Sequence, residues 1–288
     1  NSYIEVQGQV TSVLAGAFAA ILLTGTNNNL LDIGGFIFVL PINIEAWDIY
    51  EIFLLDAVTY VAVIFIFMLM RYTPIAKEKI HTEGLFDRLQ GGFRYLRDHP
   101  IILVFGLASY MLFAFTLVEI HVVLPLYVKN FLGMGGNIFA SAEIYYSFGA
   151  IFSGLLILRL FKQLNTVIGV IVLMLVVACA FYLMFIYKIL WIFFLGNFLL
   201  GITNAGVRIL RTTYIFNHVP NNLIGRTGSV FNTLNIVVRM LLIGLFTFSF
   251  FQIGDNIRFG YLVGVLMMIL AVLSLIIWYK RIVTAEKK

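Results

Sequence analysis

Residues 71–100 read RYTPIAKEKIHTEGLFDRLQGGFRYLRDHP and form the long charged connection of this chain. Long apolar runs lie on both sides of it, and residues 51–70, EIFLLDAVTYVAVIFIFMLM, are one example. Crossing the hydrocarbon core of a bilayer, roughly 30 Å thick, takes about 20 helical residues, and these runs are long enough. The stretch 71–100 is therefore predicted to connect membrane spans in the water on one side of the membrane.

Eight apolar runs of spanning length occur along the chain. They lie near residues 5–25, 51–71, 101–124, 138–160, 166–187, 189–210, 229–251 and 259–279. The composition agrees, since 61% of the residues are hydrophobic and 11% are charged, against about 25% charged residues in soluble domains. The sequence predicts an all-α membrane protein, a polytopic helical bundle with eight transmembrane helices.

The distribution of lysine and arginine predicts how the spans are oriented. If every second connection is cytoplasmic, 15 of the 19 basic residues lie on that side: Arg71, Lys77, Lys79, Arg88, Arg94, Arg97, Arg159, Lys162, Arg208, Arg211, Arg226, Lys280, Arg281, Lys287 and Lys288. Lys129, Lys188 and Arg258 lie on the other side, and Arg239 lies inside a span. Because Lys and Arg resist translocation, we expect the N and C termini to be cytoplasmic.

Composition and motifs disfavour several function classes. The net charge is +5, but the basic residues flank apolar helices, so contact with anionic lipid headgroups is a better explanation than nucleic acid. Cys179 is the single cysteine, which excludes an intramolecular disulfide and a multi-cysteine metal site. The sequence holds no metalloprotease, hydrolase or Walker motif. We expect no enzyme activity, no metal and no cofactor.

Two connections carry structure of their own. In the charged connection, Leu85, Phe86, Leu89, Phe93 and Leu96 recur at helical spacing, which predicts an amphipathic helix at the membrane interface, with a solvated linker as the alternative. In the connection 26–50, the apolar stretch Phe36 to Leu40 is too short to span. It is predicted to lie on the outer face or to form a hairpin.

Six spans after a long basic cytoplasmic connection resemble the major facilitator superfamily. The stretch GLLILRLFK at 154–162 is similar to the family's cytoplasmic loop motif, G-x-L-a-D-r-x-G-r-k, in its C-terminal half. The stretch GAFAA at 16–20 resembles the G-P-x-x-G segment of its exporters. Val219–Pro220 and Gly225–Arg226 resemble the connection between its tenth and eleventh helices.

The resemblance implies a facilitator-type fold with the first four helices missing, so that the chain covers the fifth to twelfth. Residues 1–71 would be the last two helices of the N-terminal half, 72–100 the cytoplasmic linker with its interfacial helix, and 101–288 the six-helix C-terminal half with a short cytoplasmic tail. The closest likeness is to macrolide and siderophore exporters of the bacterial inner membrane. It implies a chain that is monomeric at full length.

Small residues on two spans predict close helix packing. Gly8, Ser12 and Gly16 are spaced by four on the first span, and Ala150 and Gly154 are spaced by four on the fourth. Small side chains let helix backbones approach in a membrane. In the resembled fold these helices meet across the two halves, which suggests a sliding seam, with static packing as the alternative.

Polar residues on one face of the sixth span predict a cavity lining. Asn197, Gly201, Asn204, Arg208 and Arg211 follow spacings of 4, 3, 4 and 3, which keep them on one helical face. Lipid would penalise this face, so it lines a cavity or makes structural hydrogen bonds to a partner helix. With Arg159 and Arg226, Arg208 and Arg211 are candidates for a cytoplasmic gate.

The seventh span carries Asn232, Asn235 and Arg239 at i, i+3 and i+7. Arg239 lies about 18 Å along a helix from Thr227, near the centre of the bilayer. A charge at this depth must face protein or water, and we expect an acidic partner. Glu119, on a face shared with Ser109 and Thr116, is the favoured proton carrier, with a place among the outer headgroups as the alternative.

These observations favour a secondary transporter that exports a small amphipathic molecule by alternating access, driven by a proton or other ion gradient. A noncatalytic membrane module or gene remnant that packs with another subunit is one alternative. A lysophospholipid flippase of the same fold is another. Substrate identity, import versus export and the coupling ion stay open at this point.

The orientation can be tested by cysteine labelling. A cysteine placed at Glu83, after replacement of Cys179, is expected to stay unlabelled when an impermeant thiol reagent is added to intact cells, because residues 72–100 are predicted to be cytoplasmic. Permeabilised cells provide the positive control. Labelling of that position from outside intact cells would reverse the predicted orientation.

Overall fold

The structure is a computed structural model that describes residues 7–8, 11, 14–15, 18, 21–22, 25, 30–33, 36–39, 45–70, 84–160 and 165–286. Within this part of the chain, seven helices are long and apolar enough to cross a membrane. They match seven of the eight predicted spans. The first predicted span, near residues 5–25, lies largely outside the described residues, and those of its residues that are described, apart from residue 25, are helical.

Eight long helices are present in the described part of the chain. They are α1 (Ile49–Leu69), α2 (Leu85–Asp98), α3 (Pro100–Val118), α4 (Gly136–Leu160), α5 (Thr166–Ile186), α6 (Leu190–His218), α7 (Asn221–Phe246) and α8 (Phe259–Glu286). A short helix, Ser249–Gln252, and a 3-10 turn, Gly254–Arg258, join α7 to α8. Six of these, α3 to α8, form one bundle, while α1 has no buried residue in its spanning window.

An antiparallel hairpin precedes α1. Its strands are β1 (Leu30–Ile33) and β2 (Phe36–Val39), in a register that pairs Leu30 with Val39 and Ile33 with Phe36. A hairpin was one of the two alternatives predicted for residues 26–50. Among the described residues, these two strands are the one departure from the predicted all-α fold class.

In the bundle, α3 occupies a central place. It contacts α6, α7 and α8, while α5 lies between α6 and α8 and α4 packs on α6. Aromatic side chains fill the core, among them Phe105, Phe115, Tyr127, Phe181 and Tyr261, which have no exposed surface. Large rings bury much apolar area with few rotatable bonds, so they hold these helices in a defined arrangement.

The helix that begins with α3 continues to Leu132 with a changed pitch. Residues Glu119–Val123 and Tyr127–Leu132 are π-helical turns on either side of the short segment Leu124–Leu126. Pro125 in that segment has no backbone N–H and cannot continue a regular hydrogen-bond ladder. The helix stops at Gly133, whose φ of 72° is left-handed and suits glycine.

The predicted break between the sixth and seventh spans is shorter than expected. Helix α6 continues through Arg208 and Arg211 to His218, and α7 starts at Asn221, so that Arg226 also lies on a helix. The interruption falls at Val219 and Pro220, because proline restricts the preceding residue to extended backbone and can itself begin a helix.

Helix α2 is present as predicted, and part of its apolar face is covered by protein. Leu96 has no exposed surface and packs with Ile102, Val219 and Val230. Phe93, one turn before Leu96 on the same apolar side, is 55% exposed. The helix therefore rests on the neighbouring ends of α6 and α7. Its place at the membrane interface stays a prediction.

The contact between α4 and α6 depends on the absence of side chains. A Cβ atom built at Gly201 would overlap the carbonyl oxygen of Tyr146, and one built at Gly149 would overlap the carbonyl oxygen of Phe198. Neither overlap can be relieved by a side-chain rotation, because the obstructing atoms belong to the backbone. Close approach at small residues is the usual source of helix association in membranes.

Gly201→Ala is expected to lower the thermal unfolding temperature in detergent, because overpacking a close contact costs about 1–3 kcal/mol. Gly244→Ala is the matched control, since a Cβ there would meet nothing within 4 Å and alanine favours a helix by up to about 1 kcal/mol. Equal unfolding temperatures for Gly201→Ala and wild type would contradict the α4–α6 contact.

Candidate functional site

Arg211 is the most buried charged group at the end of the bundle where α2 lies. Its side chain is 4% exposed although it sits on a membrane-length helix. Its Nη1 donates a hydrogen bond to the carbonyl oxygen of Ser109 at 3.1 Å. Its guanidinium carbon lies 3.7 Å from the ring centre of Tyr110 and 5.8 Å from that of Phe113. A carbonyl and two ring faces thus replace the water that a cation needs.

Tyr110 joins three helices at this place. Its ring receives Arg211 from α6 on one side and stacks on Phe231 of α7 at 5.5 Å. Its backbone oxygen accepts a hydrogen bond from Nδ2 of Asn235, also on α7, at 3.5 Å. Arg208, one turn before Arg211 on α6, interacts with it electrostatically. We call Arg211, Arg208, Tyr110 and Asn235 the arginine cluster.

The four asparagines named from the sequence have different environments. Asn235 is buried in the arginine cluster, and its Oδ1 is buried without a hydrogen-bond partner. Asn204 donates to the hydroxyl of Tyr146 on α4 at 2.7 Å. Asn197 donates to the carbonyl of Phe193 in its own helix. Asn232 is exposed on α7. The structure therefore brings Arg208 and Arg211 of the α6 stripe together with Asn235 of α7. Asn197, Asn204 and Asn232 do not join this cluster.

Glu119 lies on the other part of the α3 helix, about 15 Å along it from Ser109. Its side chain has no exposed surface. Tyr261 of α8 donates a hydrogen bond from its hydroxyl to Oε1 of Glu119 at 2.8 Å. Oε2 is buried and has no hydrogen-bond partner. The Glu119 side chain is therefore enclosed by protein, and its depth in the membrane stays a prediction.

Two further titratable groups approach Glu119 from α4 and from its own helix. Glu143 on α4 is half-buried and interacts electrostatically with Glu119 and with His121. His121 is exposed on the π turn that Glu119 begins. Burial thus falls from Glu119 through Glu143 to His121. We call these three residues with Tyr261 the carboxyl cluster.

The hydroxyls of Ser109 and Thr116, which were predicted to share a face with Glu119, donate hydrogen bonds to backbone carbonyls of their own helix. Ser109 donates to the carbonyl of Gly106 at 3.0 Å, and Thr116 donates to the carbonyl of Leu112 at 2.8 Å. Both side chains are buried. They are therefore occupied within α3, as serine and threonine often are inside helices.

The expected pairing of Arg239 with a carboxylate does not appear in the described part of the chain. Among the described residues the ion pair is Arg97 with Asp98, at 3.9 Å on the surface. The groups that act on Glu119 are Tyr261 and Glu143, and Arg239 is not one of them. Arg239 is half-buried on α7, and its Nε is buried without a hydrogen-bond partner. The spacing of residues predicts which of them share a helical face, but it does not predict which neighbouring helix that face contacts.

The remaining predicted residues are placed as follows. Arg226 is half-buried in α7 beside α2, and Arg159 lies in the last turn of α4, where its backbone alone is described. Ala150 and Gly154 are buried on α4, and Ala150 lies at the contact with Gly201. A Cβ at Gly8 would meet nothing within 4 Å. Ser12 and Gly16 lie outside the described residues, so the sliding seam stays a prediction.

Sequence reasoning missed the tyrosines that complete both clusters. Tyr261 and Tyr110 look like ordinary aromatic residues in apolar spans, but a tyrosine hydroxyl in a membrane interior needs a hydrogen-bond partner. That requirement was the available signal for Tyr261. No three His, Cys, Asp or Glu residues form a possible metal site in the part of the chain that the structure describes.

The fold and these clusters define an integral membrane protein whose helices carry buried polar groups between them. A family model for the Major Facilitator Superfamily matches residues 2–243, and the chain belongs to this superfamily of membrane transporters. The match spans most of the chain and confirms the family that the sequence resembles. No match was found to a curated protein or to a solved structure.

The stacking of Arg211 on Tyr110 can be tested with a pair of variants. Tyr110→Leu removes the ring face and is expected to destabilise the protein by about 1–2 kcal/mol, because a desolvated cation–π contact is worth up to about 2 kcal/mol. Tyr110→Phe keeps the ring face and is the control. The measurement is thermal unfolding in detergent, and similar losses in both variants would show that the ring face does not matter.

Proposed function

We propose that this protein is a proton-coupled exporter of small amphipathic molecules that works by alternating access. The observation that carries the proposal is the carboxyl of Glu119, which is buried in a membrane-length helix with Oε1 bound to Tyr261 and Oε2 without a partner. An intramembrane carboxyl of this kind is the usual chemical means of carrying a proton through a transporter.

The geometry supports different roles for the two carboxyl oxygens of Glu119. The hydroxyl of Tyr261 donates to Oε1, which fixes the orientation of the carboxyl. Oε2 is left as the atom that binds and releases the proton. An ionised carboxylate without partners is costly in a low-dielectric interior, so release of the proton requires that water or a cation reach Oε2. A conformational change that opens the site would thus be coupled to proton release.

The face of α7 supports a polar pathway for the substrate. Ser229, Asn232 and Thr233 are exposed on this membrane-length helix. Lipid is a poor environment for such a face, so it is expected to border a water-filled path or protein. Met240 and Leu241, further along the helix, are apolar and exposed. A path with polar and apolar stretches suits an amphipathic substrate.

The arginine cluster supports a gate at the α2 end of the bundle. Arg208 and Arg211 carry like charges on α6, so this end of the six-helix half is cationic. In the proposed cycle, two helical halves rock around a site near the membrane midplane. The Arg-rich connections support a cytoplasmic position for this end, and the plasma membrane of a bacterium is the proposed location.

Glu119→Gln is the test of the proposed coupling. Glutamine keeps the size and can still accept the hydrogen bond from Tyr261, but it cannot carry a proton. In proteoliposomes that hold the purified chain and a panel of fluorescent amphipathic dyes, we expect dye accumulation driven by a proton gradient to fall at least about tenfold. Binding of the dyes should persist.

Asp56→Asn is the matched control, because Asp56 is exposed on α1 and loses the same charge. Its accumulation rate is expected to stay at the wild-type value. Uphill accumulation by Glu119→Gln with unchanged dependence on pH would exclude Glu119 as the proton carrier. In that case Glu143 would be the next residue to substitute.

A further inference from the structure

A cleft lies between α2 and α7, outside both polar clusters. Its volume is about 380 Å³, and it is lined by Asp87, Gln90, Gly91, Arg94 and Arg226. Two arginines and one aspartate give the lining a net charge of +1. A phosphodiester carries one negative charge, and guanidinium groups bind phosphate oxygens with paired N–H donors. The lining therefore matches a singly charged phosphodiester.

Two glycines create this cleft. A Cβ at Gly92 would lie 2.5 Å from the carbonyl oxygen of Arg226, so glycine permits the approach of α2 to α7. At Gly91, a Cβ would lie 3.3 Å from Nη1 of Arg226. The guanidinium of Arg226 therefore lies over a backbone surface without a side chain. Asp87, Gly91 and Arg94 are spaced by four and three, which keeps them on one face of α2.

The position of the cleft favours a lipid over a soluble phosphate. Helix α2 ends at Asp98 and the spanning helix α3 begins at Pro100, so the cleft lies near the level where headgroups lie. Phe93, which neighbours Arg94 in sequence, is 55% exposed and can contact acyl chains. Basic pockets beside spanning helices are a common form of headgroup site.

We propose that this cleft binds the headgroup of an anionic phospholipid with a hydroxylated headgroup, such as phosphatidylglycerol. Arg94 and Arg226 bind the phosphodiester, and Asp87 and Gln90 accept hydrogen bonds from the headgroup hydroxyls. The bound lipid joins α2 to α7 and so stabilises their contact. This site does not depend on the proposed transport cycle, and either proposal can fail without the other.

The test measures the thermal unfolding temperature of the delipidated full chain in detergent while one probe is added at a time. The probes are phosphatidylglycerol, phosphatidylcholine and inorganic phosphate. Phosphatidylglycerol is expected to raise the unfolding temperature at the lowest concentration. An equal effect of phosphatidylcholine would overturn the proposed charge recognition, and an equal effect of inorganic phosphate would overturn the lipid as the ligand.

Arg94→Gln is expected to raise the half-saturating concentration of phosphatidylglycerol at least about fivefold, because it removes a charge-assisted hydrogen bond. Arg97→Gln is the matched control. It removes the same charge from the same helix, but Arg97 pairs with Asp98 and does not line the cleft. Equal losses in the two variants would overturn the site.

A second variant tests the charge match even if Arg94→Gln does not fold. Asp87→Asn changes the net charge of the lining from +1 to +2. Phosphatidic acid, whose phosphomonoester can carry two charges, should then bind more tightly relative to phosphatidylglycerol than it does in the wild type. An unchanged ratio of the two half-saturating concentrations would contradict the assigned role of Asp87.

Discussion

Hydrocarbon supplies no hydrogen bonds to a polar side chain, so contacts between polar groups of different spanning helices stabilise the bundle. In this bundle α3 is where most of those contacts meet. Arg211 of α6 reaches its backbone at Ser109, Asn235 of α7 reaches it at Tyr110, and Tyr261 of α8 reaches Glu119. The central place of α3 among the helices follows from these three contacts together with the rings that surround them.

Apolar packing between the helices also stabilises the bundle. Gly106 of α3 leaves room for the ring of Phe231 on α7, and Gly264 of α8 leaves room for Phe115 on α3. A larger residue at either position would displace a ring that has no exposed surface or almost none. The same arrangement of a glycine facing a bulky neighbour recurs where Gly196 meets Met184. Because dispersion forces act over short distances, such complementary shapes give the bundle a single packing.

Much of the fold could be predicted from the sequence, because length and hydrophobicity are local properties. Seven of the eight predicted spans and the helix α2 follow from such patterns, whereas the hairpin was one of two alternatives. The candidate site was harder to predict from the sequence. The spacing of residues placed Arg239 and Glu119 on defined helical faces. It could not predict that Glu119 contacts Tyr261, which is 142 residues away in sequence, and not an arginine. Partner choice depends on how helices are rotated against each other, and that rotation is set by shapes along their whole length.

The two π turns after Glu119 have a consequence for how this helix can change in evolution. Each π turn holds one residue more than an α turn, and one residue corresponds to about 100° of rotation. Deleting one residue between Glu119 and Leu132 would convert a π turn to an α turn and leave the flanking faces in register. An insertion or deletion elsewhere in α3 would rotate every later side chain away from its neighbour. Residues 119–132 are thus the part of this helix that tolerates a change in length.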